Sequence, residues 1–278
     1  MHDLYTRTNL ECSRLITQNY STSFTLGIKT LHKQLRLPIY AIYGFVRYAD
    51  EIVDTFHDFD RQELLDRFKK DTYLALEEKI SLNPVLHSFQ LIVHEYDIDR
   101  KLIDAFLKSM EMDLTKETYT LSQYQEYIYG SAEVVGLMCL HVFCEGDKQL
   151  YEHLKEPAKR LGAAFQKVNF LRDIKSDFDE RGRVYFPKVD FNAFTREDKK
   201  QIEEDIQLDF KVALEGIRKL PHSSRGGVYL AYVYYTKLFE KIQHTSPRKI
   251  LQERIRVPDA IKLMLLTKTL VLSRLNAI

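Results

Sequence analysis

Apolar residues recur three and four positions apart through most of this chain, the spacing that lines up one face of an α-helix. Phe45, Val46, Ala49, Ile52 and Val53 show it within one stretch. Alternation with a period of two is almost absent, and with only 10 glycines and 7 prolines there are few breaks. The pattern predicts an all-α protein. A first helix is expected over about Thr6 to Asn19, with Ser21 or Ser23 capping the next. Pro38 suits the first turn of a third helix that runs into the segment just named. Further helices are expected near Arg61 to Lys79, Pro84 to Tyr96, Arg100 to Met112, Ser122 to Cys144, Lys148 to Asp177, Arg196 to Lys219, Gly226 to Gln243 and Pro258 to Leu275. Asn83-Pro84, Gly146, Arg181-Gly182-Arg183 and Pro221 punctuate them. No repeat, low-complexity tract or linker interrupts the series, so one domain over residues 1–278 is expected.

Two of these helices carry carboxylates where the pattern is otherwise apolar. In FVRYADEIVDTF, Arg47, Asp50 and Asp54 fall at i, i+3 and i+7 and share one face. In FQKVNFLRDIKSDFDERGRVYFP, Gln166, Asn169, Asp173 and Asp177 do the same over three turns. Aspartates four apart repel one another by roughly 0.2 to 0.5 kcal/mol; a bound cation reverses that sign. Most helical carboxylates face solvent. These are flanked by Val168, Phe170, Leu171 and Ile174 in one case and by the apolar set around Ala49 in the other, so they need partners or a metal. Mg²⁺ takes oxygen ligands and bridges carboxylates to phosphate oxygens. With Arg47, Arg172, Arg181 and Arg183 close by, the two stretches describe a metal-bridged polyphosphate site. A Gly-rich phosphate loop is missing, which counts against an ordinary nucleotide triphosphate.

Composition narrows the remaining choices. With 41 basic against 40 acidic residues the net charge is +1, so nucleic acid is not an expected partner. Cys12, Cys139 and Cys144 form no paired framework, and MHDLYTRTNL has no apolar signal, which points to a cytoplasmic protein. The longest apolar run, Val134 to Cys144, falls short of the roughly 20 residues a bilayer span requires. A zinc site from Cys139, His141, Cys144 and His153 fits no usual spacing; buried thiols are the simpler reading. The final segment, VPDAIKLMLLTKTLVLSRL, is amphipathic, and a core-facing helix is the expectation. Peripheral contact with a membrane is the alternative.

From YSTSF to ERIRVP the chain resembles the head-to-head prenyl synthases, the family of squalene, dehydrosqualene and phytoene synthases. NFLRDIKSDFDERGRVYFP is similar to the second aspartate-rich signature of that family, YADEIVD to the first, and YIYGSAEVVG to the tyrosine and small-residue segment between them. The likeness is greatest to bacterial-type phytoene synthases. It implies a class I isoprenoid synthase fold, a helical bundle around a central cavity. It implies further that Asp50, Asp54, Asn169, Asp173 and Asp177 hold Mg²⁺, or Mn²⁺ in its place, on prenyl diphosphates. Ser21, Ser23, Phe24, Arg47, Gln166 and Asn169 would contact substrate, and Tyr43, Arg47, Tyr129, Arg172, Tyr235 and Arg254 would serve catalysis. The implied reaction joins two geranylgeranyl diphosphates to phytoene without NADPH. Squalene or dehydrosqualene synthesis from farnesyl diphosphate is the alternative, and a catalytically silent binding subunit is the reading from another class. Two positions depart from the family pattern: Thr22 stands where lysine is common, and Glu133 where glycine is common, which is expected to narrow or polarise the pocket wall.

Overall fold

The computed structural model describes residues 2–115, 118–179, 183–187, 189, 193–275 and 277–278. Helices account for most of them: α1 (His2–Tyr20), α2 (Thr22–Thr30), α3 (Lys33–Asp54), α4 (Arg61–Glu78), α5 (Pro84–Glu95), α6 (Arg100–Thr115), α7 (Leu121–Ile128), α8 (Val134–Phe143), α9 (Lys148–Asp179), α10 (Arg196–Ile217), α11 (His222–Gln243), α12 (Pro247–Ile250) and α13 (Asp259–Arg274). Among the described residues the nearest thing to a sheet is an isolated parallel bridge between Thr118 and Val184.

Local chemistry sets the boundaries. Ser21 caps α2 by accepting from the Phe24 N–H, and Asn83 caps α5 with Pro84 following it at the start of the helix. Capping boxes at Thr120/Gln123 and Thr195/Asp198 open α7 and α10. Lys79, with φ 59°, takes the left-handed conformation that stops α4. Two expectations need correction. Pro38 lies inside α3 rather than in its first turn, because the helix begins earlier, at Lys33. The helix expected from Ser122 to Cys144 is divided by a π-helical turn, Tyr129–Glu133.

Two apolar clusters hold the bundle together. In the first, Phe45 of α3 stacks on Phe89 of α5 at a centroid distance of 3.8 Å and also meets Phe68 and Phe106. The second unites α9, α10 and α11 through Val168, Leu171, Ile206, Leu238 and Ile242. A buried polar group lies at the α9–α10 seam: Lys167 donates to Asp205 and to Asp209, and Arg160 also reaches Asp209 at 3.2 Å. Glycine permits close helix contact at several points. A Cβ on Gly162 of α9 would lie 2.5 Å from the Ala132 carbonyl of the π turn, and one on Gly227 of α11 would lie 2.4 Å from Leu31. Both contacts bring helices together around a central cavity.

Candidate active site

The cavity measures about 680 Å³, within the usual range of roughly 300 to 1,000 Å³ for a small-molecule pocket. Its lower walls are apolar, with Leu140, Phe143, Leu161, Ile217 and Leu220 among the lining residues. Its other end is charged. Asp50 and Asp54 reach it from α3, and Asn169, Asp173 and Asp177 from α9, so the helical spacing seen in the sequence puts both acidic faces on one space. Ser21, Ser23, Phe24, Tyr43, Arg47, Gln166, Arg172, Tyr235 and Arg254 also line it.

Arginines hold the carboxylates in place. Asp173 accepts from Arg172 on its own helix and from Arg254, whose Nε lies 2.8 Å from Oδ1. Burial works against the charge on Arg172, but Asp173 beside it pushes the guanidinium pKa above its ordinary value. Arg47 pairs with Glu51, lies 4.0 Å from Asp50 and covers the Tyr20 ring. Its Nε–H is buried without a hydrogen-bond partner among the described residues, while the residue itself lines the cavity.

Arg183 ties the two acidic helices together. Its Nη1 donates to Asp54 Oδ1 at 2.8 Å, its Nη2 to the Val53 and Asp113 carbonyls, and its backbone N–H to the Asp177 carbonyl. The buried Asp113 carboxylate lies 3.7 Å from Arg183 and accepts from the hydroxyls of Tyr127 at 2.8 Å and Tyr185 at 3.2 Å. Burial pushes Asp113 up to about 7, against the pull of Arg183. Arg181 lies outside the described residues.

Aromatic rings line the space beside the charged end. Phe24 lies 5.7 Å from Tyr43 and 6.2 Å from Tyr235, and Phe165 stacks on Tyr235 at 3.9 Å. The Tyr235 hydroxyl donates to Asn169 at 3.2 Å. Burial pushes the Tyr43 phenol up to about 12, so it keeps its proton as a neutral hydrogen-bonding group.

Several residues fall where the sequence did not put them. Tyr129 is outside the cavity, 37% exposed, with Lys159 over its ring; Tyr127, one helical turn's opposite side away, is the tyrosine that lines the cavity. Two residues along a helix turn the side chain by about 200°, which moves it to the far face. Glu133 does not form the pocket wall either: it turns to Lys159 at 3.3 Å, while Ser131, Ala132, Val135 and Gly136 line the cavity. Burial pushes Glu133 up and Lys159 opposes this. Asp113, Tyr127, Phe165 and Tyr185 were not marked as site residues by the sequence. Asp113, a lone carboxylate in the apolar pattern of α6, was the available signal.

The oxygen donors suit a hard divalent cation shared with a diphosphate. Asp50 and Asp54 are spaced for one face, and Asn169, Asp173 and Asp177 for the other. Among the described residues no three His, Cys, Asp or Glu side chains converge as a complete protein-only metal cage. Cys139 lines the cavity instead of a zinc site, and burial pushes its thiol up to about 12.

A family model described as squalene/phytoene synthase matches residues 17–260. The chain belongs to the squalene/phytoene synthase family. It is a prenyltransferase of that class, and its reaction type is head-to-head prenyl condensation. A phytoene synthase of Arthrospira platensis is 27% identical over 283 residues, covering 92% of this chain and 90% of that protein. A 4,4'-diapophytoene synthase of Staphylococcus haemolyticus is 26% identical over 208 residues, covering 72% of this chain and 70% of the other. The solved structure of a dehydrosqualene synthase aligns with a TM-score of 0.81 at 21% identity over 98% of each chain, which bears out the class I isoprenoid synthase fold. No helix among the described residues is long and apolar enough to cross a membrane.

Proposed function

We propose that this squalene/phytoene synthase family chain, acting as one domain, joins two geranylgeranyl diphosphates into phytoene with Mg²⁺. The observation that carries this reading is the cavity with two acidic helix faces at one end and apolar walls at the other, which suits a diphosphate head on a hydrocarbon tail. The likeness to the Arthrospira phytoene synthase supports the C20 substrate.

Asp50 and Asp54 on one wall, with Asn169, Asp173 and Asp177 on the other, would hold Mg²⁺. When bound, the metal neutralises charge developing on the leaving diphosphate. Arg172 and Arg47, which line the same cavity, add positive charge beside those oxygens. Ser21, Ser23 and Gln166 orient the diphosphate heads. Departure of one diphosphate leaves an allylic cation, which the C2=C3 bond of the second substrate captures. That capture leaves a cation at C3 of the second unit, and loss of a proton from C1 of the first closes the ring, giving a cyclopropylcarbinyl diphosphate, prephytoene diphosphate, with one diphosphate released. A second ionisation, rearrangement and proton loss give phytoene. The apolar walls exclude water that would quench either cation. The faces of Phe24, Tyr43, Phe165 and Tyr235 stabilise positive charge by about 0.5 to 2 kcal/mol each.

A second reading, condensation of two C15 farnesyl diphosphates, is favoured by the likeness to the 4,4'-diapophytoene synthase. One experiment separates them: incubate the protein and Mg²⁺ with farnesyl or geranylgeranyl diphosphate, with and without NADPH, and identify the hydrocarbon by mass. Phytoene from the C20 substrate without NADPH is the expected result. A C30 product alone replaces the first reading with the second. No turnover on either substrate, with EDTA leaving diphosphate binding unchanged, rejects the enzyme reading.

A further inference from the structure

Arg47 stands between two carboxylates of its own helix. At about 100° per residue, Glu51 lies about 40° round α3 to one side of it and Asp50 about 60° to the other, each one turn further on. The guanidinium goes to Glu51, its Nη2 donating to Oε1, while its Nη1 stays 4.0 Å from Asp50. From the end of α1 the Tyr20 ring completes the arrangement, its centroid 4.5 Å from the guanidinium carbon. Tyr20, Arg47 and Asp50 line the cavity, whereas Glu51 is not among its lining residues. Burial explains the choice of partner. The Glu51 side chain is 12% exposed and that of Asp50 34%, so water screens the pair with Glu51 less. A fully exposed pair at this spacing would contribute little. This one sits behind the cavity wall, beside an aspartate that the proposed reaction needs.

We propose that Glu51 is a positioning residue for the metal site: by holding the Arg47 guanidinium over Tyr20, it keeps that charge from closing on Asp50. This role rests on the proposed reading of Asp50 as a Mg²⁺ ligand. A guanidinium and a divalent cation compete for the same carboxylate oxygens, because charge holds both of them there. With Glu51 neutral, Asp50 is the carboxylate left one turn from Arg47, and a movement of about 1 Å at the end of a flexible side chain brings the two into hydrogen-bond contact. Metal binding then has to break that pair first. Held by Glu51, Arg47 adds positive charge at the diphosphate end of the cavity without occupying the metal's ligand.

Mg²⁺ titration of the thermal melt, at fixed saturating inorganic pyrophosphate, reads this role without turnover. Glu51→Gln keeps the side-chain shape and removes the charge, and the Mg²⁺ concentration giving half of the stabilisation should rise about tenfold, the worth of one charge-assisted hydrogen bond. Glu51→Asp, which restores the charge at the same helical position, should stay within about threefold of the parent. In an Arg47→Met background the effect of Glu51→Gln should shrink below about twofold, because no guanidinium remains to be released. With prenyl diphosphate as substrate, Glu51→Gln should raise the KM for Mg²⁺ while kcat at saturating Mg²⁺ stays within about twofold of the parent. Should Glu51→Gln fail to fold by circular dichroism, Tyr20→Leu takes its place: it frees the guanidinium from the other side and should raise the half-saturating Mg²⁺ about threefold. An unchanged Mg²⁺ requirement in the variant that folds overturns the proposal. So does an equal loss with and without Arg47, which makes Glu51 a general source of negative charge and not a clamp on one arginine. A parent that shows these shifts with pyrophosphate yet makes no hydrocarbon refutes the reaction and leaves the positioning role standing. A parent that Mg²⁺ and pyrophosphate do not stabilise overturns the positioning role itself.

Discussion

Asp173 receives two arginines, so its removal acts on more than one carboxylate. Asp173→Ala should leave the Arg172 and Arg254 guanidinium groups facing the cavity without their shared counter-charge. With the proposed metal ligand also gone, turnover should fall by roughly a hundredfold or more, on the scale of losing one preorganised electrostatic group. Steady-state kinetics beside an unchanged far-ultraviolet spectrum checks this. Asp113→Asn tests a different role, because Asp113 touches Arg183 and two tyrosines and positions the arginine that reaches Asp54. Turnover should drop about tenfold, the worth of a hydrogen bond to a charged group. KM should change less, and Asp113→Glu should recover little because the carboxylate is fully enclosed. Tyr129→Phe should be nearly silent, while Tyr127→Phe removes a hydroxyl bound to Asp113 and should not be. The acidic helix faces were legible because spacing of three and four fixes the side on which a carboxylate lies. The Tyr127 position was not, because the resemblance pointed to Tyr129, two positions and about 200° further round the helix. Asp113 and Arg183 meet across 70 positions of sequence, and no local pattern announces such a contact.

At the scale of elements, the seam between α9 and α10 makes the sharpest stability prediction. Lys167→Met leaves the fully buried Asp209 with Arg160 alone. Removing one member of a buried ion pair strands the other's charge, and a loss of about 3 kcal/mol is expected in urea unfolding. Gly162→Ala should cost about 1 to 3 kcal/mol by overpacking, since its Cβ must displace the Ala132 backbone. Helix boundaries were read from the sequence to within a few residues where caps and prolines mark them, as at Asn83-Pro84. They were misjudged where tertiary packing decides, as at the start of α3. The packing of α13 was legible in part: Ile261, Leu265, Leu266 and Leu272 turn half-buried towards the body, whereas Leu263, Met264, Leu270 and Val271 stay exposed, and periodicity alone does not divide one set from the other.

For the whole molecule, the cavity needs both acidic helices at once, and binding should therefore couple to global stability. Mg²⁺ with inorganic pyrophosphate should raise the melting temperature by about 5 °C at a hundredfold excess over Kd, from roughly 2.7 kcal/mol of linkage. Either component alone should shift it much less, which scanning calorimetry can read. The reaction class was visible in two short stretches of sequence. The chain length of the substrate was not, because the apolar walls are assembled from α2, α8, α9, α10 and α11, and their separation is a property of the packed bundle.

The π turn has an evolutionary corollary. A single π turn amounts to one residue more than a continuous α-helix would hold, and here it falls between Tyr127 and the small residues Val135 and Gly136 that face the same cavity. Losing that residue would rotate one flank against the other by about 100°, so Tyr127 and Gly136 could no longer both face inward. Descendants of this chain are thus free to exchange side chains such as Glu133 but not to change the number of positions in the interval, and insertions or deletions should be purged there more strictly than substitutions.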